Sequence, residues 1–242
     1  DTQWWEIDYE AVCTSTICNY PITGGTNSIA LFQFENNATN TCSGNTSATT
    51  NLTYGTGKIG QAAVFSGSFS RIDWSNNSAA GIGDNNNSFC AWIYLTSYSS
   101  GGYRTVITTQ SRFYFYVAIA GSGLSGITAG QVLFSNDQVV SGDPGGGYQT
   151  ASVSTIPLNT WTHIGVNISQ NSGTKIFING TLDKHQTART GNGPSMTAYS
   201  LIGYYNSGST YENPFVGMID QVRVYNNTLS DADMAVVALE TC

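Results

Sequence analysis

Charged side chains are scarce in this chain of 242 residues. Asp, Glu, Lys and Arg make up 10% of it, against about a quarter in ordinary soluble domains. Only eight residues are Lys or Arg, and the formal net charge is −7. The chain therefore has no basic patch that could neutralise a run of phosphates, so neither nucleic acid nor an anionic membrane surface is an expected partner.

Long hydrophobic runs are also lacking. No stretch reaches the roughly 18 to 20 apolar residues that span a bilayer, so we expect no membrane insertion. Heptads, long helical patterns and repeats with a period of roughly 20 to 50 residues are missing as well. The chain fits one all-β domain, a class that often reaches about 200 to 250 residues.

Histidine is nearly absent, since only His163 and His185 occur. Neither stands in a Ser or Cys context that marks a nucleophile, which disfavours a catalytic triad. We interpret His163, which lies in a predicted strand, as a structural residue.

The sequence does contain short apolar alternation ended by turn residues. Ile176 and Ile178 share one face of a predicted strand, and the following Asn179-Gly180 favours a type I′ turn. Similar strands are predicted at short intervals from Ser28 to Tyr225, among them Phe69 to Trp74 and Val216 to Tyr225, with a polar loop over residues 35–54. Many short antiparallel strands predict an all-β, two-sheet antiparallel jelly-roll sandwich.

One short helix is predicted near the C-terminus. Ser230 suits the N-cap, Asp233 the third helical position, and Leu229 can pack onto Met234. We expect a helix of about two turns there.

Residues 1–27 lack sustained alternation and include the adjacent Trp4 and Trp5. We expect them to form an N-terminal extension or contact arm, followed by a domain over residues 28–242. The chain begins at Asp1 rather than at a methionine, as expected of a processed secreted precursor or a truncated chain.

Five cysteines occur, at positions 13, 18, 42, 90 and 242. They can form two disulfides and leave one free thiol, and the spacing does not determine the connectivity. Cys13 and Cys18 are the favoured pair. Zinc is disfavoured because no second Cys/His pair has zinc spacing, so an oxidising compartment is expected.

Asn-x-Ser/Thr sequons suit a glycosylated secreted protein, although random placement of so many Asn, Ser and Thr residues nearly accounts for their number. The sequon at Asn179 is attributed to its turn. The candidate acceptors are Asn37, Asn45, Asn51, Asn76, Asn86, Asn167 and Asn226.

Six blocks follow one another at strand-and-turn spacing: Ala30-Leu-Phe-Gln-Phe-Glu, Tyr54-Gly-Thr-Gly-Lys-Ile-Gly-Gln-Ala-Ala-Val-Phe-Ser-Gly-Ser, Ser88-Phe-Cys-Ala-Trp-Ile, Asn159-Thr-Trp-Thr-His-Ile-Gly-Val, Ile176-Phe-Ile-Asn-Gly and Gly217-Met-Ile-Asp-Gln-Val-Arg-Val-Tyr. Together they resemble the laminin G-like, concanavalin A-like jelly-roll superfamily in its bacterial and viral surface-protein form. The resemblance covers roughly residues 28–242. It implies a scaffold that carries lectins, adhesins, enzymes and capsid or tail components.

The resemblance also implies a calcium site. Asp220 matches a position that helps bind Ca²⁺ in several members, and Glu35 and Gly67 would supply further oxygen ligands. The alternative is that Asp220 pairs with Arg223 or caps local amides. The run Gly55-Thr-Gly-Lys-Ile-Gly60 satisfies Gly-x-Gly-x-x-Gly, but its position before a strand predicts a turn rather than a nucleotide site.

An acidic run near the N-terminus resembles the catalytic strand of glucanases in the same superfamily. Glu6, Asp8 and Glu10 would lie on one side of a strand, and retaining hydrolysis needs two carboxyls about 5 to 5.5 Å apart. The glucanase motif lies in a central strand, whereas this run precedes the domain. A solvated acidic edge or a contact arm is the alternative.

Aromatic residues are numerous enough to leave some on the surface. The candidate partner surface comprises Trp4, Trp5, Tyr103, Tyr148, Tyr204, Tyr205 and Tyr211. The tyrosines lie in or beside predicted loops, where amphipathic rings suit a sugar or a partner protein. Ordinary loop packing is the alternative.

Two functions follow for an extracellular or virion-surface protein of this kind. The first is a non-catalytic assembly subunit that uses residues 1–27 to contact itself or other surface-assembly proteins. The second is a calcium-dependent module that binds a cell-surface glycan with its rim loops. Glucanase activity is a third hypothesis.

Overall fold

The computed structural model describes residues 28–67, 69–74, 86–98, 102–109, 113–118, 126–136, 148–169, 171–187, 200–206 and 211–240. The predicted extension over residues 1–27 lies outside these ranges, as does the predicted Cys13–Cys18 pair. In chain order, the elements found within them are β1 (Ser28–Phe32), β2 (Thr39–Asn40), β3 (Asn45–Thr46), β4 (Ala48–Thr50), β5 (Leu52–Thr56), β6 (Gln61–Ser66), β7 (Arg71–Trp74), β8 (Asn86–Leu95), β9 (Tyr103–Thr109), β10 (Phe113–Ala118), β11 (Gln131–Asn136), β12 (Tyr148–Thr155), β13 (Trp161–Ser169), β14 (Gly173–Ile178), β15 (Thr181–Gln186), β16 (Ser200–Ile202), β17 (Tyr205–Asn206), β18 (Tyr211–Glu212), β19 (Val216–Tyr225) and α1 (Asp231–Val237).

Two antiparallel sheets dominate the described part of the chain. One has the order β15-β14-β13-β8-β19-β1-β2-β3, with β6 joining β5 to β19, and the other has the order β12-β11-β10-β9-β16-β7-β4. Buried apolar side chains from both sheets, such as Phe65, Phe89, Phe115 and Phe134, form one core. This arrangement confirms the predicted two-sheet sandwich.

Strand β19 changes its pairing partner along one edge. Its first half pairs with β6 up to Ile219, and its second half pairs with β1 from Val222. The pairing with β8 shifts register between Asp220 and Arg223. A bulge of this kind bends a strand and re-aims its side chains. Asp220 therefore lies at the point where β19 changes partners.

The β14–β15 hairpin and the helix follow the predicted pattern. Asn179 and Gly180 both have positive φ, at 49° and 74°, as a type I′ turn requires. Ser230 caps the helix by accepting a hydrogen bond from the Asp233 amide at 3.0 Å. Leu229 and Met234 belong to one buried cluster, which is consistent with the predicted staple.

Helix α1 covers part of the outer face of the larger sheet. Met234 packs closely on Gly165: a Cβ on this glycine would lie 2.6 Å from the Met234 sulfur, so a larger residue there would have to displace the Met234 side chain. Phe177 and Tyr225 complete the apolar cluster under the helix. No helix in the described ranges is long and apolar enough to cross a membrane.

The prediction of a continuous polar loop over residues 35–54 was wrong. β2, β3 and β4 all fall within it, and β5 begins there. Strands of two or three residues are too short to show an alternation pattern, so pairing with β1 and β7 determines them instead.

Candidate functional site

A buried carboxylate lies at the bulge of β19. Asp220 is fully buried, and its Oδ2 accepts a hydrogen bond from the Ile59 amide at 3.0 Å. Its Oδ1 is also buried, and no group in the described part of the chain donates to it. An ionised oxygen without a partner is costly in a protein interior, so this atom calls for a cation or a proton.

Glu35 supplies a second carboxylate, just beyond the end of β1. Both of its oxygens accept from the Gln61 amide, at 3.1 and 3.2 Å. Gly60 has a φ of +55°, and a Cβ there would lie 2.1 Å from Glu35 Oε1. A Cβ on Gly57 would lie 2.7 Å from Asp220 Oδ2. The turn between β5 and β6 is therefore glycine-rich because it wraps closely around both carboxylates, and not because it holds a nucleotide.

The backbone is strained next to each carboxylate. Phe34, directly before Glu35, has a φ of 59°, and Gln221, directly after Asp220, has a φ of 48°. Left-handed conformations are unfavourable for such side chains, and they persist where the surrounding structure requires them. The strain therefore marks this region as a functional candidate.

The electrostatic balance at Asp220 favours its neutral form. Burial, with a smaller contribution from the nearby Glu35 charge, raises the pKa of the Asp220 carboxyl to about 7, while the hydrogen bond from the Ile59 amide and the nearby amides of Gln221 and Lys58 oppose the shift. A divalent cation would reverse this balance because it stabilises both carboxylates as anions.

The oxygen-donor set fits Ca²⁺. The described residues contain no cluster of three or more His, Cys, Asp or Glu that could hold a metal ion. The two carboxylates would therefore need neutral oxygens beside them. Gln61, whose backbone amide donates to Glu35, has a buried Oε1 that lacks a partner among the described residues. Carboxylate, amide and carbonyl oxygens are the ligands that Ca²⁺ prefers.

Gly67 does not belong to this cluster, contrary to the expectation from the resemblance. Gly217 pairs with Phe65, and Ile219 with Ala63, so Asp220 faces the start of β6. Gly67 follows the far end of the strand, about 16 Å away at 3.3 Å per residue. The resemblance indicated the correct strand but the wrong end of it.

Lys58 holds the same turn against the outer face of the larger sheet. Its Nζ lies 4.6 Å from the centre of the Trp92 ring, a cation–π contact. His163 also contacts Trp92: the two rings lie edge-to-face, with 5.4 Å between their centres. Burial, with the Arg223 charge, lowers the pKa of His163 to about 3, so this imidazole is neutral and packs as a structural residue.

A second candidate lies at one end of the smaller sheet. Neighbouring strands β7, β16 and β9 bring Phe69, Tyr204 and Tyr103 to this end, because Ile202 pairs with both Ile72 and Ile107.

The rings at this end are packed against one another in pairs. Phe69 contacts Tyr204 at 6.2 Å between ring centres, and Tyr103 stacks on Tyr116 of β10 at 4.6 Å. We call Phe69, Tyr204, Tyr103 and Tyr116 the aromatic rim.

Phe69 is the exposed ring of the aromatic rim. Its side chain is 56% exposed, and its backbone has a φ of 56°. A large apolar ring held outward in a strained conformation is typical of a binding loop. Its exposure was not predicted, because the sequence pattern placed Phe69 inside a strand, whereas β7 begins only at Arg71.

The predicted tyrosine surface is only partly brought together. Tyr103 is half-buried in the rim, but the prediction of a surface position for Tyr204 was wrong, because it is 2% exposed beneath Phe69. The side chains of Tyr148, Tyr205 and Tyr211 lie outside the described set. So do Trp4, Trp5, Glu6, Asp8 and Glu10.

The predicted glycan acceptors differ in access. Asn167 is 4% exposed. Its Oδ1 accepts a hydrogen bond from Ser88 Oγ at 2.6 Å, and its Nδ2 donates to the Leu229 carbonyl at 2.8 Å, so it cannot carry a glycan in the folded protein. Asn76 lies outside the described residues, and Asn86 is half-buried. The exposed candidates are Asn37, Asn45, Asn51 and Asn226.

Two antiparallel sheets, a bulged last strand with a buried acid and a short C-terminal helix define a lectin-like jelly roll. The chain belongs to the concanavalin A-like lectin/glucanase superfamily, whose laminin G-type model matches residues 66–235. No curated protein matches it.

Solved structures share the fold at low sequence identity. Domain 4 of an extracellular arabinanase from Geobacillus stearothermophilus, in complex with arabinotriose, has a TM-score of 0.67 and 18% identity, covering 88% of this chain and 98% of that chain. The binding domain of Paraclostridial Mosquitocidal Protein 1 has a TM-score of 0.64 and 13% identity, covering 88% and 52%. The binding domain of botulinum neurotoxin serotype G has a TM-score of 0.62 and 11% identity, covering 88% and 50%. The chain thus spans about half the length of these toxin domains.

Proposed function

We propose that this protein is an extracellular, non-catalytic binding module that holds a glycan at its aromatic rim. The observation that carries the proposal is the exposure of the Phe69 ring. The backbone of Phe69 is left-handed, and its ring packs against the buried ring of Tyr204. Sugars present apolar C–H faces to such rings and hydrogen bonds to neighbouring hydroxyls.

The shape of the rim supports a chain-like ligand. β7, β16, β9 and β10 lie side by side in the sheet. The rim therefore extends across three strand spacings, a length of about 14 Å. Tyr103 is held by its stacking on Tyr116, so little side-chain freedom would be lost on binding. The arabinanase domain, of nearly the same length, was solved with arabinotriose, which makes an oligosaccharide the first ligand class to test.

A glycan array followed by titration tests the rim. We expect Phe69→Ala to weaken binding of the best array ligand by about tenfold or more, since aromatic contacts dominate small interfaces. Leu239→Ala is the matched control, because Leu239 is also apolar and 77% exposed but follows α1. An array without any ligand, or equal affinity of Phe69→Ala and wild type, would refute the rim site.

Calcium is the proposed cofactor. Glu35, Asp220, the Gln61 amide oxygen and carbonyls of the turn between β5 and β6 would hold it. Bound Ca²⁺ would neutralise the two carboxylates and stiffen the turn that Lys58 anchors on Trp92. The support for this proposal is the unpartnered Oδ1 of Asp220 together with the strained backbone at Gln221 and at Phe34, next to Asp220 and Glu35.

Assembly through residues 1–27 is the second candidate, and the adjacent Trp4 and Trp5 ahead of the family match favour it. If this segment is a contact arm, deleting it should convert an oligomer of the full chain into a monomer, as measured by light scattering. Unchanged mass after the deletion would refute the arm.

Glucanase activity of Glu6, Asp8 and Glu10 stays a prediction. It requires that the wild-type chain hydrolyse a β-glucan and that Glu6→Gln or Glu10→Gln abolish turnover.

A further inference from the structure

An ion pair follows the exposed ring of the aromatic rim in the chain. Arg71 and Asp73 are the first and third residues of β7, and Arg71 Nε donates to the two carboxylate oxygens of Asp73 at 3.1 and 3.2 Å. Phe69 precedes Arg71 by two residues. The Cα atoms of Phe69 and Asp73 therefore lie within about 14 Å of each other, at up to about 3.6 Å per residue. A short oligosaccharide can cover this span.

Both side chains of the pair point away from the core. Ile72 and Trp74, which alternate with them along β7, belong to the core between the two sheets. Successive side chains of a strand point to opposite faces, so Arg71 and Asp73 lie on the outer face of the smaller sheet. Tyr116 of the aromatic rim shares this face, because both of its neighbours in β10 belong to the core.

The residue that joins the ring to the pair is held in place. Ser70, between Phe69 and Arg71, is fully buried. Its hydroxyl accepts a hydrogen bond from the Ser66 amide at 3.2 Å and donates one to the Asn51 carbonyl at 2.8 Å. The spacing of the ring and the ion pair is therefore fixed before a ligand binds, which lowers the entropic cost of binding.

The Asp73 carboxylate has the capacity to bind hydroxyl groups. The Arg71 and Asp73 side chains are 22% and 29% exposed, so a ligand can reach them. Each oxygen of an ionised carboxylate can accept more than one hydrogen bond. Asp73 can therefore accept from hydroxyl donors while it stays bound to Arg71. Adjacent hydroxyls of a sugar ring present two such donors side by side.

The charges at this position disfavour acidic ligands. The Arg71 charge is already offset by Asp73, and the whole chain has a formal net charge of −7. A carboxylate or sulfate on the ligand would add a like charge beside Asp73, which is unfavourable. The pair therefore favours neutral sugars over acidic ones.

We propose that Asp73, positioned by Arg71, selects neutral sugars with adjacent hydroxyls at the aromatic rim. This inference rests on the proposed glycan site and names its ligand class. The Phe69 ring packs on the apolar face of a sugar unit, and the Asp73 carboxylate accepts hydrogen bonds from hydroxyls of the same oligosaccharide. Arg71 is a positioning residue that holds this carboxylate in place.

An array of matched neutral and acidic oligosaccharides, followed by titration of the best ligand, tests the selectivity. We expect the wild-type chain to bind sulfated or uronic-acid counterparts at least about tenfold more weakly than the neutral ligand. Asp73→Asn should weaken binding of the neutral ligand by about tenfold or more, because it loses hydrogen bonds to a charged acceptor. It should also admit acidic sugars, since Arg71 then lacks its counter-charge.

Arg71→Gln should shift the selectivity in the opposite direction. It leaves the Asp73 charge without its counter-charge, so acidic sugars should be rejected more strongly than by the wild type. A loss of folding shared by the two variants cannot produce opposite shifts, and an ion pair this exposed contributes little to stability. Asp183→Asn, on β15, is the matched control and should bind as the wild type does.

The same measurements separate this inference from the rim site on which it rests. An array without a ligand, or wild-type affinity in Phe69→Ala, overturns the rim site and this inference with it. If Phe69→Ala loses binding but acidic sugars bind best, or if Asp73→Asn keeps the wild-type selectivity, the rim site stands and the role of Asp73 is refuted.

Discussion

In the presence of a chelator, the wild-type protein should lose up to about 4 kcal/mol of unfolding free energy as the pH rises from about 4 to about 7. Folded Asp220 keeps its proton up to a pH of about 7, whereas the unfolded carboxyl releases it near its ordinary pKa of 3.8. The native state therefore binds more protons over this interval, so its stability is greatest below it and is lost as the pH passes the folded pKa. Chemical denaturation at a series of pH values measures this slope.

Added Ca²⁺ should restore the lost stability above pH 7, because the cation replaces the proton at the carboxylates. Asp220→Asn should remove both effects, since the amide stays neutral at every pH. Asp183→Asn is the matched control: Asp183 also accepts hydrogen bonds from backbone amides, at Val153 and Ser154, but lies on β15 away from the cluster. A Ca²⁺ response that survives in Asp220→Asn would refute the proposed site.

Glu240→Met should destabilise the protein by about 3 to 5 kcal/mol, because it leaves the buried Arg223 guanidinium without its counter-charge. The Arg223 side chain is only 3% exposed, and β19 lies between β1 and β8, so its guanidinium has little access to solvent. Urea titration of the variant measures the loss.

A second variant separates charge from packing. Arg223→Met/Glu240→Met removes both charges and should recover most of the loss, since apolar side chains of similar size fill such sites well. Lys175→Met breaks the ion pair between Lys175 and Asp231, two side chains that are 28% and 47% exposed. This variant should lose at most about 1 kcal/mol of unfolding free energy. Equal losses for Glu240→Met and Lys175→Met would contradict the buried-pair account.

The local sequence pattern was sufficient to predict most of the strands and turns of the sandwich. Residues 216–225 were predicted as a strand with the observed bounds, and the Ser230 cap, the type I′ turn at Asn179 and the jelly-roll class were all predicted correctly. Alternation and capping act between residues a few positions apart, so one sequence carries them in full. The same reasoning failed where strands have only two or three residues, as in β2 to β4.

The candidate sites depend on contacts between distant residues, and here the sequence was informative only in part. The resemblance singled out Asp220 and Glu35, and the structure places both around the turn between β5 and β6. It did not indicate Gln61, and it assigned Gly67 to the wrong end of β6. Phe69 carried no visible signal, because its exposure depends on where β7 begins and on the burial of Tyr204 beneath it.

By itself, the sequence determined the fold class, the short helix and the superfamily. Each of these follows from composition, from local periodicity or from motifs in a fixed order. Only the tertiary structure decided that Asp220 is left with an unpartnered oxygen, that Asn167 is closed to glycans, and that Glu240 lies over Arg223. Burial and charge pairing are properties of residues far apart in the chain, and they exist only once the two sheets have closed on each other.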